Sequence, residues 1–366
     1  MPLSPVTRRF HHPLREPEDV RRLFEAGREH LAAARASARD CIRRDFADHL
    51  FYLGAIHPEW FHPLRDEVIG WPEEVASLLE GVGFHEWTYL LDGASDASVN
   101  HLDAKLRGNP GDWRNLEMLA AIVTPAAFAS LARLARSAGR ERDLEKLGFW
   151  IGPAPAPALP RFARSRRAIR VMPFSGSRIE LSERPHPIGL PLAELLAEPG
   201  ETRITWHYLS LTLDELSGMP DLPCRRLHLV SPRFTCEWTL QAVLAPDGRL
   251  RIESVEGPDD DELEDCLEEE EEADPDPDTW REAVLREFDD RLTYCNGHVM
   301  STEGVVGVSG GPPVGLYPNP SCTACGRLMF HVATVESQVR EYGDGFRSLY
   351  ACETCARIAC TGTNWN

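Results

Sequence analysis

The chain has 366 residues, 42% of them hydrophobic, and a net charge of −19. This length suffices for two or three domains, and the apolar fraction can form a buried core, which excludes a chain that is disordered throughout. No run of 18 apolar residues occurs, and no apolar stretch follows the basic N-terminal residues. We therefore expect no membrane span, no secretory signal and a cytoplasmic location. The acidity argues against nucleic-acid binding.

Residues 1–151 are predicted to form an all-helical domain. Between residues 17 and 57 apolar residues recur at spacings of three and four, as in Val20, Leu23 and Phe24, which is typical of amphipathic helices. Thr124 followed by Pro125 is a helix start signal, with a threonine cap and proline at the first helical position. The further helices are predicted at 59–69, 72–81, 113–122, 125–137 and 140–148.

The periodicity changes after a Pro/Ala/Arg linker at 152–167. Residues 168–258 alternate apolar and polar positions, which predicts a mainly antiparallel α+β domain. Asp247-Gly248 separates two alternating segments and predicts a tight hairpin. Short helices are expected at 190–198 and 212–218. The strands are predicted at 168–172, 178–182, 203–211, 225–230, 236–244 and 249–255.

The negative charge is concentrated at residues 259–278, which hold 14 acidic and no basic residues. The other residues therefore carry only −19 + 14 = −5. Like charges at this density repel and extend a chain, which favours an acidic linker. A surface that binds a basic partner or mimics nucleic acid is the alternative. Residues 161–170 hold five arginines, which either flank a strand, dock against the acidic residues or bind an anion.

Residues 279–366 are predicted to form a zinc-binding module. A helix at 279–292 and a glycine-rich loop precede two Cys-x-x-Cys pairs with 26 residues between them. The intervening segment is predicted to form a β-hairpin, which would return the second pair to the first. Four thiolates at tetrahedral spacing favour Zn²⁺. The predicted ligands of this single metal ion are Cys322, Cys325, Cys352 and Cys355.

Such a Cys₄ shell is closed, because four thiolates leave no position for water, so the zinc would be structural. An iron–sulfur cluster or a redox disulfide is the alternative. Arg327 and Arg357 lie two residues beyond a ligand and could offset the negative charge of the site. Cys360 breaks the symmetry of the two pairs and is predicted not to bind the metal.

The segment CTACGRLMF, which begins at Cys322, resembles the first half of a zinc ribbon. Together with GGPP (310–313) and YPNP (317–320), it makes residues 304–366 similar to the C-terminal part of the YwqG-like family of uncharacterised bacterial proteins. That family also has an earlier Gly-Gly-Pro motif, which this chain lacks, and it has no comparable helical N-terminus. The resemblance implies a zinc-stapled β-hairpin module and no particular activity.

No catalytic residue is predicted. Ser309 lies in a G-x-S-x-G match, but a nucleophile elbow needs a following helix, and Pro312-Pro313 disfavours one. His57 and His62 are five residues apart, a poor spacing for a shared metal on one helix face. His207 lies in a predicted strand, facing away from Trp206. It is either a satisfied surface or cleft histidine or a general base.

Three functions remain open. The first is a non-enzymatic, cytoplasmic bacterial zinc protein that acts in protein–protein interaction, as an antidote or adaptor for a basic partner. The second is an enzyme with a pocket between the helical and α+β domains. The third is a zinc protein that binds nucleic acid, which the nearly balanced charge of residues 322–360 disfavours. The fold class common to all three is α+β.

Overall fold

The computed structural model of the chain describes a defined subset of its residues. The described residues are 25, 58–70, 84–172, 184–198, 201–216, 218–222, 224–232, 237–257, 282–286, 293–295, 298–300, 305–313, 319–336 and 345–364. The predicted helix at 72–81, the predicted strand at 178–182 and the acidic residues 259–278 lie outside them, as do the predicted helical residues before 58 apart from residue 25.

The secondary structure mixes helices with a large antiparallel sheet, which confirms the α+β class. The helices in the described part of the chain are α1 (Pro58–Phe61), α2 (Arg65–Ile69), α3 (Phe84–Leu90), α4 (Asp96–Gly108), α5 (Trp113–Ala121), α6 (Pro125–Ala138), α7 (Glu141–Lys146) and α8 (Leu192–Leu195). Single 3₁₀ turns lie at His62–Leu64 and Leu213–Glu215.

The strands, in chain order, are β1 (Phe149–Ile151), β2 (Ala158–Pro160), β3 (Arg166–Met172), β4 (His186–Pro187), β5 (Trp206–Thr212), β6 (Arg226–Ser231), β7 (Trp238–Leu244), β8 (Leu250–Glu256), β9 (Glu282–Arg286), β10 (Thr293–Cys295), β11 (His298–Met300), β12 (Val305–Gly310), β13 (Phe330–Glu336), β14 (Gly345–Ala351) and β15 (Arg357–Asn364).

The chain divides into two compact units. The first comprises Met1–Pro160 with Phe288–Thr302, and the second comprises Arg161–Glu287 with Glu303–Asn366. In the first unit, α5 packs against α3, α4 and α6. Thr124 caps α6 as its sequence predicts, because its hydroxyl accepts a hydrogen bond from the Ala127 amide at 3.3 Å.

A buried carboxylate joins two helices of this first unit. Asp103 on α4 is almost fully buried and accepts hydrogen bonds from Ser130 and from Arg133 on α6. Arg107, one turn along α4, pairs with the other oxygen of Asp103. Burial alone would raise the pKa of Asp103, but these donors together hold it below its usual value. The carboxylate is therefore charged and stabilised where it lies.

The second unit is built on a nine-stranded sheet. The strand order is β4-β9-β3-β12-β13-β14-β15-β7-β8, and every neighbouring pair is antiparallel. The separate hairpin β5–β6 packs against β14 and β15, and side chains such as Tyr208, Leu229 and Leu349 share one apolar core. Strands from the predicted α+β domain (168–258) and from the predicted zinc module (279–366) thus lie in one sheet.

Where the structure describes the predicted helix at 279–292, the prediction is wrong, since residues Glu282–Arg286 form strand β9. The strand pairs with β3 on one side and β4 on the other. Ala283, Val284 and Leu285 are all buried, so both faces of this strand are covered. Ala, Glu, Leu and Arg favour helices, but pairing with two strands outweighs local propensity here.

Two hairpins of this unit share one local design. Strand β5 contains the extra residue Tyr208 where it pairs with β6, and β13 contains the extra residue Val332 where it pairs with β14. Side chains normally alternate between the faces of a strand, so residues three apart point to opposite sides. One extra residue reverses that relation and brings residues i and i+3 to the same face.

The bulges bring a histidine onto a hydroxyl in both hairpins. His207 Nε2 lies 2.9 Å from Ser210 Oγ, and His331 Nε2 lies 2.9 Å from Thr334 Oγ1. On the neighbouring strand, the residue that pairs with each of these hydroxyl residues extends the hydrogen-bond network. Ser210 Oγ is 2.7 Å from His228 Nδ1, and Thr334 Oγ1 is 2.8 Å from Ser348 Oγ. The shared sequence pattern is aromatic-His-x-x-Ser/Thr.

Candidate metal centre

The first Cys-x-x-Cys pair lies in a tight turn just before β13. The Cys322 amide donates to the Arg327 carbonyl at 2.8 Å, and the Gly326 amide donates to the Cys322 carbonyl at 2.8 Å. Gly326 has a φ of +66°, which a residue with a Cβ adopts at a cost. Glycine at this position therefore allows the chain to leave the turn and enter the strand.

The second pair lies in a matching turn between β14 and β15. The Cys352 amide donates to the Arg357 carbonyl at 2.9 Å, which repeats the spacing of five residues seen in the first turn. The Cys355 amide points at Cys352 Sγ, 3.4 Å away. We call residues 322–327 and 352–357 the first and second knuckles. Both are closed by backbone hydrogen bonds of the same kind.

The hairpin β13–β14 brings the two knuckles together. The Sγ atoms of Cys322, Cys325, Cys352 and Cys355 all lie within 4.8 Å of one another. The Sγ atoms of Cys325 and Cys352 are 3.6 Å apart, far beyond a disulfide bond of about 2.05 Å, and all four cysteines are free. The four predicted ligands thus form a cluster that could hold a metal ion.

One side of the cluster is dry and the other faces solvent. Cys322 and Cys352 are 1% and 2% exposed and pack with the buried side chains of Met329, Tyr350 and Ala359. Cys325, in contrast, is exposed. The inner sulfurs are therefore fixed by packing, while the outer side leaves a route by which an ion could enter and leave.

Without a cation, Cys322, Cys325 and Cys355 do not ionise equally readily. Desolvation, and then hydrogen bonds with the neighbouring sulfurs, raises the pKa of Cys355, and desolvation also raises the pKa of Cys322. Desolvation acts in the same direction on Cys325, but the Arg327 amide and the other thiols hold the pKa of Cys325 below its usual value. One thiolate is thus favoured at the expense of its neighbours, as expected for like charges this close.

Two polar residues on β7 and β8 hold the first knuckle, and no motif in the sequence marks either of them. The Gln241 side chain donates to the Ser321 carbonyl at 2.9 Å and accepts from the Thr323 amide at 3.1 Å. Glu253 accepts from the Thr323 hydroxyl at 3.2 Å. In sequence, Gln241 lies about 80 positions before Thr323, and Glu253 lies about 70 positions before it. Their placement beside the knuckle depends on the pairing of β7 with β15 and of β8 with β7.

The two arginines that were predicted to offset the site's charge have different partners. Arg327 donates to the Thr354 hydroxyl at 3.3 Å and so links the two knuckles. Arg357 pairs with Glu253 at 2.7 Å, and the sulfurs of Cys322 and Cys355 also help to raise the pKa of its guanidinium. A third arginine, Arg161, is buried and binds both the Leu328 carbonyl and Glu353 inside the second knuckle. Some of the arginines of 161–170 thus serve internal contacts.

Cys360 lies apart from the four clustered sulfurs. It is fully buried in the core between the nine-stranded sheet and β5–β6, and its Sγ contacts the His228 carbonyl at 3.8 Å. Burial raises the pKa of Cys360 to about 12 and that of the half-buried Cys224 to about 11. Both are thiols at neutral pH. Cys41, Cys236 and Cys266 lie outside the described residues.

The other candidate residues of the sequence make contacts within the fold. Ser309 is buried on β12 and donates to the Val332 carbonyl at 3.3 Å. His207 is buried rather than on the surface or in a cleft, and it accepts at Nδ1 from the Leu190 amide. Its Nε2 therefore carries the proton and donates to Ser210, which is fully buried. His62 lies 3.4 Å from the Tyr89 carbonyl, and His57 lies outside the described residues.

Comparison of the chain with protein-family models, with curated proteins and with solved structures gave no match. The similarity of residues 304–366 to the YwqG-like family therefore rests on the sequence motifs alone. In the described part of the chain, no helix is long and apolar enough to cross a membrane.

Proposed function

We propose that Cys322, Cys325, Cys352 and Cys355 bind one Zn²⁺ ion in a closed structural site. The observation that carries this proposal is the approach of all four Sγ atoms to within 4.8 Å of one another. A tetrahedral zinc ion with Zn–S bonds of about 2.3 Å requires sulfurs about 3.8 Å apart, which this cluster can adopt with small shifts. Thiolates favour zinc over magnesium or calcium.

The chemistry of such a site is stabilisation and not catalysis. Four sulfurs fill the coordination shell, so no water can be activated there. The ion would instead tie together the turns that begin β13, end β14 and begin β15, in the middle of the nine-stranded sheet. Its binding free energy would therefore contribute to the folding of the whole second unit.

Elemental analysis of the purified chain tests the metal assignment. Protein prepared without added metal should contain about one equivalent of zinc, as a single four-thiolate site requires. A strong chelator should remove the ion and lower the melting temperature. A metal-free preparation that keeps its full thermal stability would refute the site. If the purified protein contains iron instead of zinc and shows visible absorption bands, the bound metal is iron and not the zinc that we propose.

We further propose that the protein is a non-enzymatic, cytoplasmic interaction protein whose partner is basic. The support is the charge distribution: 14 acidic residues lie in 259–278, while the rest of the chain is nearly neutral. A charge cluster of this kind attracts a basic surface over about a Debye length, 8 Å at physiological salt. The zinc-stabilised sheet would then carry the acidic segment between β8 and β9.

A charge-neutral variant of equal length tests this role. All acidic residues of 259–278 are replaced by Gln, Asn or Ser, and both forms are used to capture proteins from the native host. A basic protein captured by the wild type at low salt, released by high salt and not captured by the neutral variant would support the proposal. Equal capture by both forms, or capture of nucleic acid, would contradict it.

A further inference from the structure

The carboxylate of Glu253 contacts both cysteine knuckles. Arg357, in the second knuckle, donates to it through Nε at 2.9 Å and through Nη2 at 2.7 Å. Thr323, between the two cysteines of the first knuckle, donates its hydroxyl to Oε2 at 3.2 Å. One side chain on β8 thereby joins a residue of each knuckle.

The contacts of Glu253 reach the ligands through short backbone links. Arg357 accepts a hydrogen bond from the Cys352 amide and donates its own amide to the Cys355 carbonyl. The Thr323 backbone lies directly beside Cys322 and is also fixed by Gln241 on β7. Since β7 and β8 are paired strands, Gln241 and Glu253 provide one rigid support for the two knuckles.

Repulsion from ionised sulfurs disfavours an acid at this position. A carboxylate near four thiolates raises the free energy of the ionised cluster, because like charges repel. The hydrogen bonds from Arg357 hold the pKa of Glu253 below its usual value, so this carboxylate is charged. Its presence therefore needs a reason other than charge compensation of the metal site, and the geometry supplies one.

We propose that Glu253 is a positioning residue of the metal centre, which holds the two knuckles at the separation that Zn²⁺ requires. The inference rests on the zinc site proposed above. When Glu253 contacts both knuckles, the four sulfurs are preorganised, so less free energy is lost in bringing them around the ion. Without the contacts of Glu253, each knuckle keeps its own backbone hydrogen bonds, but the remaining links, such as the 3.3 Å contact of Arg327 with Thr354, hold their separation less firmly.

The test compares Glu253→Gln with Glu201→Gln. Glu201 makes the same two-pronged contact with Arg203, at 2.9 and 2.6 Å, and neither residue belongs to a knuckle. Zinc affinity is measured by chelator competition, the rate of zinc loss by a chromogenic chelator, and site geometry by the absorption of the Co²⁺-substituted protein. Glu253→Gln should still bind one ion, with affinity reduced by about tenfold, the lower end for supporting residues of metal sites. Glu201→Gln should keep the wild-type affinity.

Thr323→Val provides a second and milder variant, because it removes only the contact of Glu253 with the first knuckle. It should weaken zinc binding, and its effect should be smaller in a chain that already carries Glu253→Gln, since the two residues act through one contact. Additive effects of the two substitutions on zinc affinity would contradict a shared contact.

The outcomes separate this inference from the zinc site itself. A wild-type chain without zinc refutes the proposed site. A wild-type chain with one zinc, and a Glu253→Gln variant of unchanged affinity and unchanged rate of zinc loss, refutes the positioning role alone. A variant that only melts at a lower temperature, with normal zinc and cobalt binding, shows a merely structural role and also overturns it. Tighter zinc binding by the variant would show that the carboxylate acts by its charge.

Discussion

His331 Nε2 and Thr334 Oγ1 lie 2.9 Å apart although the two residues are three positions apart on one strand. The His331 Nδ1 atom lies 3.0 Å from the Gly311 carbonyl, which can only accept, so Nδ1 carries the proton and Nε2 accepts from Thr334. In the other bulged hairpin the proton of His207 is on Nε2. The same geometry thus fixes opposite tautomers, each by the backbone group that faces Nδ1.

These networks make the second unit sensitive to acid. Burial lowers the pKa of His228 and of His331 from 6.5 to about 4. Below pH 6.5 these histidines bind protons in the unfolded chain but stay neutral in the folded chain, so stability is lost as the pH falls from 6.5 toward 4. The expected slope is about 1.4 kcal/mol per pH unit for each histidine. Urea unfolding at several pH values, with zinc content monitored, measures it.

A histidine variant serves as the control for this pH dependence. His228→Gln removes one titrating group, so its stability should fall less steeply with pH by about 1.4 kcal/mol per unit, even if the variant is less stable at pH 7. Equal slopes for the variant and the wild type between pH 6.5 and 5 would show that His228 is not neutral in the folded chain.

Serine variants of the cysteines separate ligands from bystanders. Replacing Cys322, Cys325, Cys352 or Cys355 by Ser should release zinc and destabilise the second unit, because metal binding of this kind contributes on the order of 10 kcal/mol to folding. The effect should extend beyond residues 295–366, since β13–β15 lie in the centre of the sheet. Zinc analysis and limited proteolysis measure both effects.

Cys360 provides the comparison within this series. Cys360→Ala removes a buried sulfur and should cost about 1 kcal/mol, a typical value for a small core truncation, while one zinc ion stays bound. Loss of zinc from Cys360→Ala together with its retention in Cys322→Ser would mean that the four ligands are assigned incorrectly. Residues 84–160 should remain resistant to protease throughout, because the first unit has its own core.

The local pattern predicted those elements whose environment is visible in a few residues. The Asp247-Gly248 turn is present, with the Ala245 amide donating to Arg249 at 2.8 Å and a φ of +86° at Gly248. Strands 225–230 and 249–255 were located to within one residue at each end. In β8 the buried Leu250 and Ile252 alternate with the exposed Arg251, so alternation identifies the strand. In β6 the sequence alternates in the same way at Leu227, His228 and Leu229, although all three side chains are buried.

Elements that depend on distant partners escaped prediction. Strand β9 has a helix-like composition and becomes a strand only because β3 and β4 pair with it. The four cysteines could be assigned because their spacing alone carries the signal. Gln241 and Glu253 could not, since nothing in a strand sequence shows which polar residue will face a turn about 70 to 80 positions later. Preorganisation of a site is a property of the tertiary structure.

Gly326 is expected to matter for zinc binding because of its backbone. Its φ is +66° and a Cβ there would meet no atom within 4 Å, so Gly326→Ala introduces only backbone strain, on the order of 1 kcal/mol. Gly139, at the end of α6, has a closely similar φ of +67° and the same open space. Both alanine variants should lose similar stability, but only Gly326→Ala should weaken zinc binding. Gly326→Asn should restore most of it, since Asn tolerates this conformation. Equal zinc affinity for both alanine variants would contradict the assignment.

The last prediction concerns the length of the acidic segment. Strand β8 ends at Glu256 and β9 begins at Glu282, and the alternating strand directions place both points at the same end of the sheet. Seven strand spacings separate β8 from β9, so a connection that follows the sheet has to cover about 34 Å. After deletion of 259–278, six Cα–Cα steps would remain, and these span at most about 21 Å. The deletion should therefore pull β9 out of the sheet or prevent folding.

A neutral replacement of equal length should keep the melting temperature, because it preserves the reach of the chain and removes only its charge. Thermal unfolding of the two variants decides the matter: a stable deletion variant would show that the connection does not have to cross the sheet, and unfolding of the neutral variant would show that the acidic side chains themselves stabilise the fold.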